Sequence, residues 1–280
     1  MNENFPNQVR DKLFKFSRTT IASTQENLNI FALEGVLQRL ALSRHSNAFV
    51  LKGGMLLAAF DQRRATNDID LAARSLSNSK SSVLARIREI LEVEVLDGLA
   101  FDLDSIKLKS IRESEAYFGQ RVSCHATLGS SRIKISLDIN FGDELFPEPR
   151  PLEYPSLLPY LRTGFQVLAY RVELVIAEKF VSMLVRGETN TRLKDVADIL
   201  GLLPLAQVEI LVETIRRVAF SQNIEDFAVQ EQLASWANSQ ERLWLAREAK
   251  NYPQLAGKSF LEIYSAVAQV IFPALKGDDK

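Results

Sequence analysis

Two aspartates separated by one residue, Asp68 and Asp70, are the side chains of this chain whose type and spacing point most directly to chemistry. In an extended strand alternate side chains share a face, so both carboxylates point the same way. Carboxylates this close repel one another. A hard divalent cation such as Mg2+, which binds one or two carboxylates together with substrate phosphates, removes the repulsion. The pair therefore suggests metal-dependent phosphoryl-type transfer, although most Asp-x-Asp pairs at strand ends are simply solvated.

The segment before the pair provides a context for phosphate binding. Phe49 to Leu51 is a short apolar strand, and Lys52-Gly53-Gly54 predicts a turn in which the missing Cβ atoms let the backbone approach a ligand. Met55 to Phe60 predicts a helix whose N-terminus offers free N–H groups to a phosphate. The chain contains no GxxxxGK[ST] motif, so Lys52 is not the lysine of a Walker-type loop.

A third carboxylate lies in the most regular strand pattern of the chain. From Arg132 to Asn140 apolar and polar residues alternate, which predicts a strand with one buried face and with Asp138 on the polar face. If this strand neighbours the Asp68-Ile69-Asp70 strand, Asp138 can serve as a metal ligand or general base in a two-metal reaction. The alternative is a solvated edge residue. Asp143, in the turn that follows, is a further candidate.

Hydrophobic periodicity predicts the elements that position these acids. Helical spacing over Val9 to Arg44 and over Ser82 to Glu92 predicts helices that flank a sheet. Three strand-like segments predict a meander whose last two strands meet at Leu128-Gly129-Ser130-Ser131. These segments are Ile106 to Ile111, Arg121 to Thr127 and Arg132 to Asn140. We therefore expect a mixed sheet with flanking helices over residues 1–160.

Prolines mark the predicted domain boundary. Five of them punctuate a connector that can be neither helix nor central strand: Pro147, Pro149, Pro151, Pro155 and Pro159. Beyond this connector nearly every segment has the helical period, so we expect an α+β fold that ends in an all-helical domain over residues 161–280. Trp236, Trp244 and Phe260 are expected in its core. Phe227 and the two tryptophans could instead form a partner surface.

The composition limits the classes of function. A net charge of -1 excludes nucleic-acid binding by bulk charge, so any such binding requires a local basic patch. The single cysteine, Cys124, excludes an intrachain disulfide and is expected to be buried, which fits a reducing compartment. The N-terminal residues lack a secretory signal pattern, and no segment approaches about 18 consecutive apolar residues. We expect a cytoplasmic protein with no membrane span.

The motifs around the aspartate pair resemble a known superfamily. Gly53-Gly54, a 13-residue spacer and Asp68-Ile69-Asp70 resemble the DNA polymerase beta-type nucleotidyltransferases. More narrowly, LKGGMLL followed by RATNDIDL resembles the AbiEii branch, the nucleotidyltransferase toxins of bacterial AbiE and MenT toxin–antitoxin pairs. One departure is Met55, because that family often has Thr or Ser after the glycines. The resemblance then implies that backbone N–H groups alone contact the triphosphate there.

Two segments of the predicted helical domain also resemble AbiEii motifs. They are YRVELVIAEKF, from Tyr170 to Phe180, and TRLKDVADIL, from Thr191 to Leu200. In the family a lysine contacts nucleotide phosphates and an aspartate completes the site, and the matching residues here are Lys179 and Asp195. Spacing alone would place Lys179 on an ordinary solvated helix face, together with Ser182 and Arg186.

The resemblance implies a complete set of site residues. The implied catalytic residues are Asp68, Asp70, Asp138, Lys179 and Asp195, and the implied ligands of Mg2+ or Mn2+ are Asp68, Asp70 and Asp138. The implied nucleotide contacts are Lys52, Gly53, Gly54, Met55, Arg64, Thr66, Lys179, Arg192 and Asp198. The first domain would be the nucleotidyltransferase-like catalytic domain, and the helical domain would complete its cleft.

The resemblance also implies a reaction and partners. A nucleotidyl group would pass from an NTP to an acceptor hydroxyl with release of pyrophosphate, and the acceptor would be RNA, especially the tRNA 3' end. The partner would be a cognate antitoxin. Two alternatives stay open: a small-molecule adenylyltransferase of the antibiotic-modifying kind, and a degenerate fold that binds nucleotide or protein without turnover.

Overall fold

The computed structural model describes residues 4–114, 117–161, 164–224, 227 and 230–276. The chain divides into two compact units. One unit contains Met1–Asp143 and Pro149–Tyr170, and the other contains Glu144–Glu148 and Arg171–Lys280. No helix in the described residues combines the length and apolar character that crossing a membrane requires. The catalytic and cleft-completing roles expected for the two domains stay predictions.

The first unit is built on a seven-stranded mixed sheet with the strand order β3-β4-β5-β2-β1-β7-β6. Its strands are β1 Phe49–Lys52, β2 Ile69–Ala73, β3 Leu99–Ser114, β4 Tyr117–Leu128, β5 Ser131–Phe141, β6 Arg150–Tyr154 and β7 Phe165–Ala169. Strands β2 and β5 run parallel, as do β1 and β7, whereas the other neighbours run antiparallel. The predicted mixed sheet and meander are confirmed. The strand expected to begin at Asp68 begins instead at Ile69.

The described residues of the same unit form four α-helices, and all four contact strands of the sheet. They are α1 Phe5–Ser17, α2 Thr24–Leu42, α3 Gly53–Leu56 and α4 Lys80–Leu91. Helix α2 begins with a capping box, in which the Ser23 side chain accepts from the Glu26 N–H and the Glu26 carboxylate accepts from the Ser23 N–H. Helices α1, α2 and α4 contact β4, β5 and β3, respectively. The apolar side chains of β5 are buried, and by alternation its polar side chains occupy the opposite face.

The proline-rich connector contains a strand at the edge of the sheet. Strand β6 includes Pro151, and an edge position tolerates a residue that lacks a backbone N–H. Strand β7, which the sequence analysis did not predict, carries the sheet past residue 160. The buried carboxylate of Glu34 accepts hydrogen bonds from the Leu157 N–H and from Arg63, so it holds the loop after β6 against α2.

The described part of the second unit is helical, as predicted. Its helices are α5 Val172–Arg186, α6 Leu193–Leu202, α7 Val208–Ser221, α8 Gln230–Ser239, α9 Glu241–Arg247 and α10 Phe260–Lys276. The helical period also predicts a helix over about Ile224 to Trp236, and part of that segment lies outside the described residues. The rings of Trp236 and Trp244 lie 5.6 and 5.5 Å from the Phe260 ring, and all three side chains are buried. The two tryptophans are therefore core residues and not a partner surface.

A buried ion pair joins α2 to the segment that precedes β3. The Arg39 guanidinium donates to both carboxylate oxygens of Asp97, at 2.8 and 3.1 Å, and the two side chains are 4% and 1% exposed. The Leu99 N–H also donates to Asp97. Such a pair is costly to break, because the partner that remains keeps a buried charge.

Replacing Arg39 by leucine should lower the free energy of unfolding by about 3–5 kcal/mol, because Asp97 would lose its cation. Urea unfolding at pH 7, followed by circular dichroism, measures the loss. The matched control is Arg44→Leu, because the Arg44–Glu89 pair is exposed and exposed pairs contribute little. Equal losses in the two variants would show that the Arg39–Asp97 pair has no special weight.

Candidate active site

The parallel pairing of β2 and β5 brings three carboxylates together. In this register Asp70 lies opposite Asp138, and Asp68 precedes β2 by one residue. One carboxylate oxygen from each of the three residues lies within 4.8 Å of the other two. The predicted adjacency of these two strands is thus confirmed. We call Asp68, Asp70 and Asp138 the acid triad, and their catalytic roles stay predictions.

The acid triad raises the pKa of its central member. The pKa of Asp70 is raised to about 6, first by burial and then by the negative charges of Asp68 and Asp138. The charge of Lys52 and a hydrogen bond from the Gly54 N–H act in the opposite direction. The balance leaves an acid whose ionised form is disfavoured, which is the electrostatic condition that a bound cation would relieve.

The glycine turn is shaped around Asp70. Gly53 has a φ of 66°, and a Cβ atom built there would lie 1.9 Å from Oδ2 of Asp70. Any side chain at this position would displace the carboxylate, so glycine is required both for the backbone conformation and for the close approach. The helix expected after the turn is short: α3 lasts four residues and continues as a 3-10 turn over Leu57–Phe60. The turn thus contributes individual N–H groups, with little helix dipole behind them.

Arg121 is a member of the site that the sequence analysis did not identify. It lies on β4 opposite Asp138, and its Nε and Nη2 atoms donate to the two carboxylate oxygens at 2.6 and 2.5 Å. The Arg121 side chain is 48% exposed, whereas that of Asp138 is 10% exposed. A bidentate contact of this kind fixes the plane of the Asp138 carboxylate as well as its position.

Lys52 and Asp143, two of the predicted candidates, pair with each other. The Lys52 Nζ atom donates to Asp143 Oδ2 at 2.8 Å, and the Tyr170 hydroxyl donates to the same oxygen at 2.9 Å. Tyr170 was expected to begin a helix. Its backbone N–H instead donates to the Leu51 carbonyl beside β1, and α5 begins at Val172. Asp143 therefore lies apart from the acid triad, and Lys52 is a largely buried counter-charge beside it.

The residues around the second glycine form a shallow depression. Its lining includes Gly54, Met55, Arg64 and Thr66. The Met55 side chain is buried in the core, so it offers no polar group to a ligand. The Thr66 hydroxyl is close to Gly54, because a Cβ atom built on that glycine would lie 2.7 Å from the hydroxyl oxygen. A hydroxyl is therefore present beside the glycine turn, but it comes from Thr66 and not from position 55.

The candidates near the C-terminus form a second polar cluster, within the helical unit. Lys179 Nζ donates to Asp195 at 2.6 Å and to Asp198 at 2.8 Å, and the Tyr252 hydroxyl donates to Asp198 at 2.6 Å. The Lys179 side chain is only 12% exposed, so the solvated-face interpretation of this lysine is wrong. Arg192 is exposed at the N-terminal end of α6, where its backbone N–H donates to the Asn190 side chain.

Comparison with known families identifies the chain. A model of the nucleotidyl transferase AbiEii toxin family, of the type IV toxin–antitoxin system, matches residues 35–264. The chain belongs to the AbiEii family. The matched range includes the acid triad, the glycine turn and the Lys179 cluster. This finding confirms the predicted family and makes the protein a nucleotidyltransferase-type enzyme.

Two solved structures share the fold of this AbiEii-family chain. JHP933 from Helicobacter pylori is 14% identical, with a TM-score of 0.52 over 89% of this chain and 92% of the other. A candidate nucleotidyltransferase from H. pylori is 15% identical, with a TM-score of 0.52 over 91% of this chain and 97% of the other. A search of curated proteins gives no match. At these identities the solved structures confirm the α+β fold class.

The raised pKa of Asp70 predicts that this acid destabilises the metal-free AbiEii-family protein. An acid whose folded-state pKa of about 6 exceeds its unfolded value costs stability as pH rises from about 4 to above 6. In EDTA at pH 7.5, Asp70→Asn should therefore raise the free energy of unfolding by about 1–3 kcal/mol, and at pH 4 the gain should vanish. Chemical denaturation at both pH values measures it, with Asp104→Asn as the exposed control. A destabilised Asp70→Asn variant at pH 7.5 would contradict the electrostatic account.

The Lys179 cluster predicts a contribution to stability that can be measured without turnover. Lys179→Met should lower the free energy of unfolding by about 3 kcal/mol or more, because Asp195 and Asp198 would share a nearly buried site without their cation. Lys250→Met, at an exposed lysine of the same unit, is the control. Urea titration of the two variants compares them, and equal stability would mean that the cluster contributes nothing to folding.

Proposed function

We propose that this AbiEii-family protein transfers a nucleotidyl group from an NTP to a hydroxyl of an RNA acceptor, with the tRNA 3' end as the candidate site. The observation that carries the proposal is the convergence of the acid triad within 4.8 Å beside a glycine turn that closes on Asp70. Three carboxylates held this close need a cationic partner, and a substrate rich in phosphate needs the same partner.

The donor set fits Mg2+ or Mn2+ bound by Asp68, Asp70 and Asp138. All three donors are hard carboxylate oxygens, and no sulfur or imidazole group belongs to the cluster. The raised pKa of Asp70 is a second sign of fit, because it records a negative charge that the surrounding residues do not fully compensate. When bound, the cation would neutralise phosphate charge and lower the pKa of the attacking hydroxyl.

The residues of the chain would divide the remaining work. Asp138, whose two carboxylate oxygens accept from Arg121, is proposed to accept the proton of the acceptor hydroxyl. The new bond joins that hydroxyl oxygen to the α-phosphorus, the bond between the α-phosphorus and the bridging oxygen breaks, and pyrophosphate leaves. Arg64 and Thr66, which line the depression at Gly54, are proposed contacts of the nucleotide.

Two further assignments follow from the family resemblance. Lys179 of the helical unit is proposed to contact the nucleotide phosphates and Asp195 to complete the site, with Asp198 and Arg192 beside them in the sequence motif. A cognate antitoxin is the proposed protein partner, because the family is that of a type IV toxin–antitoxin system.

Incubation with each α-labelled NTP, total RNA and a pool of small hydroxylated metabolites tests the proposal. Labelled RNA should appear with Mg2+ or Mn2+ and should disappear in EDTA. Asp68→Asn should reduce labelling at least about 100-fold, because it removes one of the charges that hold the cation. The control Asp104→Asn, at an exposed acid of β3, should retain activity.

The other outcomes separate the alternatives. Label in a small molecule and none in RNA would support the antibiotic-type adenylyltransferase. Label in neither, with NTP still bound, would support a degenerate binding fold. Normal labelling by Asp68→Asn would refute the metal site itself.

A further inference from the structure

The face of the sheet that carries the acid triad continues outward across the meander. Cross-strand pairing places Lys109 opposite Arg121, Arg121 opposite Asp138, and Asp138 opposite Asp70. Residues directly opposite one another in neighbouring strands project from the same face of a sheet. The side chains of β4 and β3 in this row therefore lie on the same face as the carboxylates.

Further along the same strands this face is rich in basic residues. Lys107 pairs opposite Ser123, Lys134 opposite His125, and Arg132 opposite Thr127. The strand positions of these basic residues share the parity of the Arg121 and Asp138 row, so their side chains share its face. We call Lys107, Lys109, Arg132 and Lys134 the basic face, and all four residues are exposed.

The charge of the basic face is available to a partner. Among the described residues, no carboxylate forms an ion pair with any of its four side chains. By the same pairing Asp102, which lies opposite His125, shares this face, and Asp104 lies in the adjacent bulge. The chain as a whole carries a net charge of -1, so a cluster of this kind is a local excess of positive charge and not a property of the whole surface.

The length of the basic face suits a polymer. Arg132 precedes Asp138 by six residues in one strand, a distance of about 20 Å at about 3.4 Å per residue. A nucleic-acid strand carries one phosphate charge per nucleotide, so several charges can follow a path of this length. A small acceptor at the acid triad would not reach Arg132 or Lys134.

We propose that the basic face binds the phosphate backbone of the nucleic-acid acceptor and leads its reacting hydroxyl to the acid triad. This inference rests on the proposed function for the reaction, but it concerns binding and can be tested without turnover. Arg121, which is paired with Asp138, is a positioning residue of the acid triad and stands outside the basic face.

The test uses a charge-removal variant and a matched control. The variant Lys107→Gln/Arg132→Gln/Lys134→Gln removes three charges from the basic face. The control Lys12→Gln/Lys15→Gln/Arg18→Gln removes the same charges from exposed positions of α1 and the residue after it. Binding of a fluorescent single-stranded RNA to the full chain is measured by anisotropy between about 50 and 200 mM salt, the range in which phosphate contacts are resolved.

The basic-face variant should bind RNA at least about 10-fold more weakly than the control. Its slope of log affinity against log salt should be smaller in magnitude by about 2, because each phosphate that the variant no longer neutralises reduces the slope by about 0.7. Binding of a non-hydrolysable NTP with Mg2+ should be unchanged in both variants, because the substituted residues lie away from the acid triad. Polyglutamate of equal charge should compete poorly with RNA.

Each remaining outcome is decisive. Equal RNA affinity and slope in the two variants would overturn the basic face, even if the wild-type protein labels RNA. Polyglutamate that binds as tightly as RNA would make it an acidic-polypeptide site and would also overturn the proposal. If the basic-face variant loses RNA affinity while the wild-type protein labels no acceptor, the binding inference stands and the proposed reaction fails.

Discussion

The burial and close approach of three carboxylates at the β2–β5 pair is the constraint on which the rest of the site depends. Strand register fixes Asp70 opposite Asp138, so the two charges cannot separate without breaking the sheet. The glycine turn also contacts Asp70. Gly53 leaves the space that the carboxylate occupies, and the Gly54 N–H donates a hydrogen bond to it. The fold thus holds a charge arrangement that is unfavourable by itself. Proteins retain such arrangements where a ligand of opposite charge completes them.

Basic groups around the acid triad compensate part of this charge without occupying its centre. The half-exposed Arg121 forms an ion pair with Asp138. Lys52 pairs with Asp143, and its charge also lowers the pKa of Asp70. In the helical unit the arrangement differs, because a single lysine, Lys179, lies between two aspartates and donates a hydrogen bond to each of them. Both aspartates of the helical cluster accept from a cation, whereas in the acid triad only Asp138 accepts from an arginine, which is why we assign the bound cation to the acid triad.

Local sequence patterns predicted the parts of the site that lie within one or two adjacent elements. The alternation in β5 placed Asp138 correctly, and counting outward from the Leu128–Ser131 turn would also have placed Arg121 opposite it. The Lys52–Asp143–Tyr170 contact joins three segments that are distant in the sequence, so no local periodicity predicts it. Strand β6 was missed because it contains Pro151, and the sequence alone cannot tell an edge strand with a proline from a loop. The burial of Lys179 depends on helix packing and left no local signal.

Crystals of the protein grown with Mn2+ and a non-hydrolysable NTP would test the central claim most directly, because the anomalous signal of manganese locates the ion without reference to activity. The account predicts an anomalous peak within bonding distance of carboxylate oxygens of Asp68, Asp70 and Asp138, with the remaining ligands supplied by phosphate oxygens and water. It also predicts that the peak is lost in Asp70→Asn crystals. A triad that binds NTP with no manganese peak, or a peak held elsewhere in the chain, would contradict the account.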